Sequence, residues 1–474
     1  MTTSILHLTS NGWGMGHLSR QVAVALAGRN SVTSTIMSMS GAVPVVTSMG
    51  IPVEYCPSNQ RGWVVPTEWH AYLRDRIVAL AKERNASVIM FDGVAPYPGI
   101  GRARPMLPNV MFVWMRRGMW IPGANDHALA RTEYFDLVIE PGDLASSVDV
   151  GPTASRREAH RVSPISMLEA VPKRSRSEAA AALGVDPRRK TLLVTLGTGR
   201  LGDVVGPGRV VLERALVDPE WQVCLTKPAI AEAGLPIPDP DRVVELSNVY
   251  PLVAYLDAFD AAVSASGYNA VHELLPAAVP TLFVPSPRSV TDDQVARARW
   301  AADNGYALVA EADDLNAIGK AIEDLLTDAT RDRLANRCAT LGIPAGAGET
   351  VASVLEARSA FDPGPRKERP DDSGIGPWIR WRIQRLIGPS ATAVVRWLTR
   401  RQGNRPDLSR RPVSIDGAGE SRLVFGSDVS IDLLRSGAVV EHLLAGSSSG
   451  YRAVRRSIIG RFYDADVRWV AVER

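Results

Sequence analysis

The sequence predicts an α/β protein made of two doubly wound, Rossmann-like domains, followed by a basic C-terminal extension. Short apolar strands alternate with amphipathic helices in two successive series, and each series opens with a strand that runs into a glycine-rich loop. A stretch rich in Ser, Arg and Pro, about 151–176, separates the two series as an interdomain connection would. A chain of 474 residues is also too long for one hydrophobic core, which favours several domains.

The apolar runs place the individual elements. The first series has predicted helices near 18–28 and 67–84 and predicted strands at Ile5–Leu8, Val32–Met37, Val88–Phe91, Val110–Val113 and Leu137–Ile139. The second series has predicted strands at Leu192–Leu196, Gln222–Leu225, Val243–Leu246, Ala261–Ser264, Thr281–Val284 and Ala307–Val309. We expect the two domains at 1–160 and 161–361, a basic linker with an amphipathic helix at 362–412, and a small α/β appendage at 413–474. A ligand cleft is expected between the carboxyl strand ends of the two domains.

The composition is that of a globular protein, with 45% hydrophobic and 22% charged residues and a net charge of +3. The first residues show neither a basic n-region nor an apolar h-region, so we expect no signal peptide. No apolar run approaches the ~20 residues that cross a bilayer. The three cysteines, Cys56, Cys224 and Cys338, are scattered and odd in number, which favours a reducing compartment and excludes a cysteine-built metal site. We therefore expect a cytoplasmic protein with no cofactor and no metal.

The first glycine-rich loop, Asn11 to Gly16, ends in His17. It joins a predicted strand to a predicted helix, so an imidazole is expected at the mouth of a parallel sheet, where α/β folds hold their ligands. The glycines fall at 12, 14 and 16, which is not the spacing of a dinucleotide fingerprint. A histidine that only caps the helix is the alternative interpretation.

The second domain has its own loop, in which Gly197, Gly199 and Gly202 match G-x-G-x-x-G after a predicted strand. A dinucleotide site would need an acidic residue at the end of the next strand, which ends in Lys227 instead. Pro207 is also expected to break the helix that should follow. A loop whose backbone amides meet a diphosphate explains the glycines equally well.

The most informative stretch begins with Ser266 and Gly267, whose amides at a predicted helix start suit a phosphate. Glu273 follows two turns further on as an acceptor for a ribose diol. Asp293 and Gln294, which open the next predicted helix, are placed to bind sugar hydroxyls. Together these residues indicate a nucleotide sugar.

These features resemble the inverting glycosyltransferases of the two-domain GT-B fold. The resemblance rests on both glycine turns, the Ser-Gly…Glu helix and the Asp-Gln pair, and it covers roughly residues 3–360. It is closest to the N-acetylglucosaminyltransferase that completes lipid II in peptidoglycan synthesis and looser to the UDP-glycosyltransferases. It implies metal-independent transfer of a hexose-type sugar from a nucleotide diphosphate sugar, UDP-linked in that family, to the hydroxyl of a glycan, lipid-linked or small-molecule acceptor.

The resemblance also implies a role for each matching residue. His17 matches the general base, and Asp92 matches the residue that orients it in some UDP-glycosyltransferases. The donor-binding residues are Gly14, Gly16, Gly197, Thr198, Gly199, Val249, Ser266, Gly267, Asn269, Glu273, Asp293 and Gln294. In the family the glycine loops face the diphosphate, the Val249 position pairs its backbone with uracil, Glu273 matches the ribose carboxylate, and the Asp-Gln pair grips the sugar. Tyr268, Asn269 and His272 depart from the lipid II enzyme, which leaves the donor sugar and the acceptor open.

The chemistry requires a group that takes a proton. An acceptor hydroxyl is a poor nucleophile near neutral pH, so a positioned imidazole is useful. A retaining relative is expected to carry a second glutamate eight positions before Glu273, where this chain has Ala265, and inversion is therefore favoured. For Asp92 the alternative is a turn aspartate before glycine. Arg116 and Arg117 are candidates to bind an anionic acceptor, with a solvated strand end as the alternative.

The basic character of the chain belongs to its extension, where residues 366–411 hold twelve Lys/Arg and four Asp/Glu. Within 378–401, four apolar residues between Ile379 and Ile387 share a helical face flanked by arginines. This pattern suits a helix on an anionic membrane surface, at the inner face of the membrane, and a helix packed back on the two domains is the alternative. No nucleic acid is expected as a partner, since no recognised module accompanies the charge.

Residues 413–474 are predicted to contain a strand near Leu423–Phe425, helices near 430–444 and 451–462, and a strand at Val467–Val472. Nothing in this segment indicates a role. For the whole chain, sugar transfer is the leading interpretation. A nucleotide-sugar hydrolase or epimerase is the first alternative, because it would use the same donor pocket. A non-catalytic module that binds a nucleotide sugar is the second.

Overall fold

The computed structural model describes residues 2–10, 15–56, 58, 66–197, 203–227, 237–247, 249–286 and 289–363, and the strand segments 421–424, 439–442 and 467–468. The chain divides into two compact units. The first comprises Met1–Val53, Val88–Ala95 and Phe112–Phe361, and the second comprises Glu54–Ser87, Pro96–Met111 and Asp362–Arg474. No helix within the described residues is long and apolar enough to span a membrane.

The first sheet has seven strands: β1 (Thr3–Thr9), β2 (Val32–Ser38), β3 (Val53–Tyr55), β4 (Val88–Asp92), β5 (Met111–Met115), β6 (Leu137–Pro141) and β7 (Ala159–Val162). Their order in the sheet is β3-β2-β1-β4-β5-β6-β7. The pairs β1–β2, β1–β4, β5–β6 and β6–β7 are parallel. The strand order reverses between β1 and β4, which leaves a crevice at the carboxyl ends of these two strands.

The second sheet has six strands: β8 (Lys190–Thr195), β9 (Trp221–Lys227), β10 (Val243–Ser247), β11 (Ala261–Ser264), β12 (Thr281–Phe283) and β13 (Leu308–Val309). Their order is β10-β9-β8-β11-β12-β13, and each neighbouring pair is parallel. The reversal here lies between β8 and β11. The predicted architecture of two doubly wound α/β domains is therefore confirmed.

Twelve α-helices connect the strands or follow them within the described residues. They are α1 (Gly16–Ala27), α2 (Val43–Val46), α3 (Pro66–Glu83), α4 (Pro98–Ala103), α5 (Asp126–Leu129), α6 (Arg176–Leu183), α7 (Val205–Ala215), α8 (Tyr268–Leu274), α9 (Gln294–Asp303), α10 (Leu315–Leu325), α11 (Asp328–Cys338) and α12 (Gly346–Ser359).

Central strands are mostly apolar along their length, since a parallel sheet in an α/β fold is covered on both faces. Every residue of β4 and β5 is buried. In the second sheet, Leu192 and Val263 pack in one cluster with Val211 of α7 and Ile318 of α10. Each such aliphatic side chain contributes about 1.5–3 kcal/mol on burial, which explains why continuous apolar runs in the sequence located the strands.

The last helix of the second domain returns to the first sheet, where α12 packs against α1, β6 and β7. Its amino end is capped by Glu169, whose carboxylate accepts from the amides of Ala347 at 2.8 Å and Gly348 at 2.7 Å. A Cβ at Gly346 would overlap the carbonyl oxygen of Ser163, so only glycine permits this approach.

Three sequence expectations need correction. The stretch taken as a connection, 151–176, contains β7, which pairs with β6 at the edge of the first sheet. Pro207 does not break α7, because it lies in the first turn, where an amide has no partner within the helix. The helix expected near 430–444 is wrong at its end, where β15 (Val439–His442) forms, as β-branched residues favour.

Within the second unit, α3 and α4 pack closely. A Cβ at Gly99 would lie 2.6 Å from the carbonyl oxygen of His70, so glycine is required there. A parallel three-stranded sheet has the order β14-β15-β16, with β14 at Ser421–Val424 and β16 at Val467–Arg468. The basic helix expected at 378–401 and the helix expected at 451–462 lie outside the described residues.

Candidate active site

A histidine and an aspartate meet at the crevice of the first sheet. Asp92 ends β4 opposite Thr9 of β1, and its carbonyl oxygen accepts from the Ser10 amide at 3.0 Å. His17 is the second residue of α1, and its Nδ1 lies 2.6 Å from Asp92 Oδ1. The His17 side chain is 14% exposed and that of Asp92 is 1% exposed, so the imidazole alone reaches the surface of the crevice. The structure thus brings together the two side chains that the sequence suggested as base and orienting acid.

The surroundings favour an ionised Asp92 and a neutral His17. Burial by itself raises the pKa of Asp92, but Arg20 and His17 outweigh it and lower the pKa to about 2. Burial lowers the pKa of His17 below its ordinary 6.5; Asp92 raises it, and Arg20 and Arg117 add to the lowering. His17 Nε2 has no hydrogen-bond partner among the described residues. A neutral imidazole held in this way can accept a proton at Nε2.

Three side chains that the sequence analysis did not single out contact or support this pair on its buried side. Arg20 donates to Asp92 through Nε at 3.1 Å and through Nη2 at 2.7 Å. Gln21 Nε2 donates to Asp92 Oδ2 at 3.4 Å, and its Oε1 lies 2.6 Å from Nδ1 of the buried His7. The available signal was the presence of polar residues on the buried face of an apolar helix, since Arg20 and Gln21 are both buried.

A cavity of about 270 Å³ opens next to α1 and the carboxyl ends of the second sheet. It is lined by Met15, Gly16, Ser19, Val45, Met167, Thr195, Thr226, Lys227, Leu246, Val249, Tyr250, Pro251, Leu252, Val253, Asn269 and Glu273. Gly16, Val249, Asn269 and Glu273 were predicted donor-binding residues, and the structure places all four on one cavity. Thr195, Thr226 and Lys227 were missed as cavity residues, although each lies at or beside the carboxyl end of β8 or of its neighbour β9.

Two half-buried polar side chains in the cavity, Glu273 and Asn269, have polar atoms with no hydrogen-bond partner among the described residues. Burial raises the pKa of Glu273 to about 8, so its carboxyl is mostly protonated near neutral pH. Asn269 Nδ2 donates to the Gly16 carbonyl oxygen at 3.4 Å, while its Oδ1 is buried with no partner among the described residues. Such unsatisfied groups are costly unless a ligand completes them.

The loop after β11 is fixed by internal contacts. Ser266 is buried, and its Oγ donates to the Gln294 carbonyl oxygen at 2.8 Å. Gly267 caps α8 with an ordinary φ of −64°, whereas Gly197, after β8, has φ of +91°, a conformation that favours glycine. The predicted donor-loop residues that lie outside the described residues are Gly14, Thr198 and Gly199.

Asp293 and Gln294 both make local contacts. The Asp293 carboxylate caps α9 by accepting from the Ala296 amide at 2.9 Å. Gln294 is buried, and its Oε1 accepts from the Ser286 amide at 3.3 Å. The pair therefore shapes the start of α9, and neither residue lines the cavity described above.

The two arginines after β5, Arg116 and Arg117, make different contacts. Arg116 is fully buried, and its guanidinium contacts Glu140 at 3.2 Å and Glu158 at 2.7 Å. This placement favours a structural ion pair and does not bring Arg116 to His17. Arg117 lies close enough to His17 to influence its pKa, but its Nη1 donates to Asp292 at 2.9 Å.

Asp292 belongs to a buried ion cluster that sequence reasoning missed. It also accepts from Arg297 Nη2 at 2.9 Å, and Arg297 Nε donates to Asp143 at 3.0 Å. His272 Nε2 lies 3.6 Å from the other Asp143 oxygen. The cluster joins the loops after β5 and β6 to α8 and α9 of the second domain. No short motif marks it, because its members are up to 180 positions apart in the chain.

No metal centre is evident in the part of the chain that the structure describes. Among the described residues, no group of three or more His, Cys, Asp or Glu side chains could hold a metal ion. Cys56, Cys224 and Cys338 are buried, free and far apart in sequence.

Comparisons with known proteins agree with this architecture. Residues 241–347 match the glycosyltransferase family 28 C-terminal domain. The UDP-N-acetylglucosamine--N-acetylmuramyl-(pentapeptide) pyrophosphoryl-undecaprenol N-acetylglucosamine transferase of Bacillus licheniformis is 26% identical over 187 residues, which cover 37% of this chain and 50% of that protein. The transferase of the same name from Nocardioides sp. is 27% identical over 378 residues, which cover 73% of this chain and 96% of that protein.

Among solved structures, the glycosyltransferase SnogD from Streptomyces nogalater matches with a TM-score of 0.50 at 16% identity, over 75% of this chain and 99% of that chain. This likeness concerns the fold. The first relative named above is matched over half of its own length. Together the comparisons confirm the resemblance to the GT-B glycosyltransferases.

Proposed function

We propose that this chain is an inverting glycosyltransferase that moves a sugar from a UDP-linked donor to an acceptor hydroxyl, with His17 as general base. One observation carries the proposal: the His17–Asp92 pair, joined at 2.6 Å with only the imidazole partly exposed, lies at the crevice of the first sheet beside a cavity that Glu273 and Asn269 help to line. Such a juxtaposition of a base with a ligand cavity is expected where an acceptor meets an activated donor.

The chemistry follows from the tautomer. His17 keeps its proton on Nδ1, which donates a hydrogen bond to Asp92. Nε2 then takes the proton of the acceptor hydroxyl while the hydroxyl oxygen bonds to the anomeric carbon. The bond from that carbon to the diphosphate breaks on the opposite face, which inverts the configuration. The leaving nucleoside diphosphate takes the electron pair, and Asp92 stabilises the imidazolium that forms.

The donor site is proposed on the cavity residues. Glu273 accepts from the two ribose hydroxyls, the Val249 backbone pairs with uracil, and the free Oδ1 of Asn269 is available to a ligand hydroxyl. Gly16 and Gly197 lie in the loops proposed to face the diphosphate, with Gly14, Thr198, Gly199, Ser266 and Gly267 assigned to the same role. Charge neutralisation by backbone amides would make a metal unnecessary.

The sugar and the acceptor are proposed from the relatives. Their names specify UDP-N-acetylglucosamine and a pyrophosphoryl-undecaprenol acceptor. We propose a related donor, gripped by Asp293 and Gln294, and a lipid-linked acceptor at the inner face of the membrane, which the basic segment 378–401 would help to reach. Arg117 is the better candidate of the two arginines to meet an anionic acceptor, because Arg116 is fully buried and paired with two carboxylates.

The test is His17→Ala with UDP-N-acetylglucosamine as donor and membrane lipid extract as acceptor. Turnover should fall by ~10²-fold or more, because general base catalysis typically contributes that much. UDP binding, measured by calorimetry, should be unchanged, and Gln222→Ala, which alters a buried side chain of the second sheet, controls for packing. Unchanged turnover in His17→Ala would remove His17 from the mechanism.

Product analysis separates transfer from its alternatives. A transferase gives UDP and a glycosylated lipid in equal amounts. Free sugar with the lipid present would indicate a hydrolase, and a changed sugar still attached to UDP would indicate an epimerase.

A further inference from the structure

Arg20 shares one oxygen of Asp92 with the proposed base. Arg20 Nη2 lies 2.7 Å and His17 Nδ1 lies 2.6 Å from Asp92 Oδ1, and the two nitrogens are 2.8 Å apart. Arginine is always protonated and has no lone pair to offer. An unprotonated Nδ1 could accept from Arg20 Nη2, but its lone pair would then face the Asp92 carboxylate at 2.6 Å and be repelled by it. A protonated Nδ1 instead donates to that oxygen, which is its shortest polar contact, so the geometry favours the His17 proton on Nδ1 and the lone pair on Nε2.

The second domain touches this arrangement through one aromatic ring. Tyr268, the first residue of α8, places its ring 5.0 Å from the guanidinium carbon of Arg20 and 5.6 Å from that of Arg117. Its hydroxyl accepts from the Ile165 amide at 2.9 Å and donates to the Gly142 carbonyl oxygen at 3.0 Å. The hydroxyl contacts thus fix the ring beside two guanidinium groups, and an aromatic face stabilises such cations.

The helix that carries this ring also carries part of the donor cavity. Asn269 follows Tyr268 directly, and Glu273 lies five residues after Tyr268, near the other end of α8. A shift of α8 therefore moves the cavity lining and the ring over Arg20 together. This couples the donor side of the site to the residue that holds Asp92.

We propose that Arg20 and Tyr268 are positioning residues for the base: the Tyr268 ring holds the Arg20 guanidinium, and Arg20 holds Asp92 so that His17 keeps its proton on Nδ1. The inference rests on the proposed role of His17, but it concerns the state of the imidazole and can be measured without any turnover. The charged groups that face His17 are Asp92 at the end of β4, Arg20 on α1 and Arg117 after β5.

The direct test is nuclear magnetic resonance of the full chain labelled with ¹⁵N-histidine. The chain has seven histidines, and the His17 ring signals are assigned by their absence in His17→Gln. Their ¹⁵N shifts report which ring nitrogen carries the proton, and their pH dependence reports the titration. The wild-type protein should show the Nδ1–H form and titrate below pH 6.5, the ordinary value.

Two variants remove one partner each of the contact between Arg20 and the Tyr268 ring. Arg20→Gln removes a cation that disfavours the imidazolium, so the His17 transition should move up by about 1 pH unit. Tyr268→Leu admits water to Arg20 and His17, so the transition should move in the same direction and the two tautomers should mix. In turnover, both should lower kcat by about tenfold and leave KM for the donor unchanged.

Matched controls separate positioning from stability. Tyr268→Phe keeps the ring but loses the hydroxyl contacts to Ile165 and Gly142, and it should retain the wild-type His17 signals. Tyr255→Leu removes an aromatic ring that lies 5.0 Å from Arg174, a pair of the same length with no link to Asp92, and should also leave them unchanged.

The His17 signals of these variants either support or overturn the positioning role of Arg20 and Tyr268. UDP affinity by calorimetry identifies folded variants, and Arg20→Lys and Tyr268→Met replace any that do not fold. If folded variants at both positions change only the melting temperature and leave the tautomer and titration of His17 as in the wild type, the proposal is overturned. If wild-type His17 shows the expected signals but the protein transfers no sugar, the proposed function fails while the positioning inference stands.

Discussion

Replacing Glu273 by Gln gives the sharpest test of the proposed donor site, because this carboxyl is expected to change its proton occupancy when a ribose binds. Burial raises the pKa of Glu273 to about 8 in the free protein. Ribose hydroxyls donate to a carboxylate, which favours the charged form and lowers the pKa again. Binding of UDP should therefore drive a proton off Glu273 in the pH range where the free carboxyl is protonated.

The magnitude follows from the free pKa. With a pKa of about 8, the carboxyl is ~90% protonated at pH 7 and ~10% protonated at pH 9. If the bound carboxyl is ionised, ~0.9 proton should leave per UDP at pH 7 and ~0.1 at pH 9. The apparent affinity should then rise by up to ~1.4 kcal/mol per pH unit below pH 8 and level off above it.

The assay is calorimetry of UDP binding in buffers that differ in ionisation enthalpy, because the heat of buffer protonation reports the number of protons released. Glu273→Gln keeps the size and hydrogen-bonding ability of the side chain but cannot titrate. Protons exchanged by the nucleotide itself are common to both proteins and cancel in the difference. Equal proton release by the two proteins, at every pH between 6 and 9, would refute the assignment of Glu273 as the ribose acceptor.

Three other predictions are independent of Glu273. Because burial lowers the pKa of His17, the imidazole stays neutral into mild acidity, and the acidic limb of the pH profile of kcat/KM should lie below pH 6.5. An acidic limb above pH 6.5 would contradict the neutral-base mechanism. Turnover should survive exhaustive chelation by EDTA, and loss of activity that Mg²⁺ or Mn²⁺ restores would count against neutralisation by amides. If the segment 378–401 binds anionic lipid, each nearby basic residue contributes about 1 kcal/mol to the binding free energy. The full chain that carries Arg380→Glu, Arg382→Glu and Arg385→Glu together should therefore be released from anionic vesicles, and its UDP binding should be unchanged. Sedimentation that is equal for both proteins, or insensitive to salt, would exclude the membrane role.

Much of the fold could be predicted from local sequence. The runs Ile5–Leu8 and Val88–Phe91 are apolar because parallel strands covered by helices are buried on both faces, and the structure has strands there. The meeting of His17 and Asp92 could also be predicted, since each follows a strand and the carboxyl ends of neighbouring parallel strands share one edge. β7 was missed, because a short edge strand with exposed His160 and Arg161 has no buried face to mark it.

The sequence by itself determined the two alternating series, the two glycine loops at the strand-to-helix turns, and a carboxylate two turns after Ser266, because these depend on residues within about 20 positions of one another. The tertiary structure alone decided which charges face which. It paired Arg116 with Glu140 and Glu158, joined Arg117 to Asp292, and set the ring of Tyr268 over Arg20. A buried charge must find its partner wherever the fold brings one, and the energy of that pairing depends on distance in space and on exclusion of water, which local sequence does not encode.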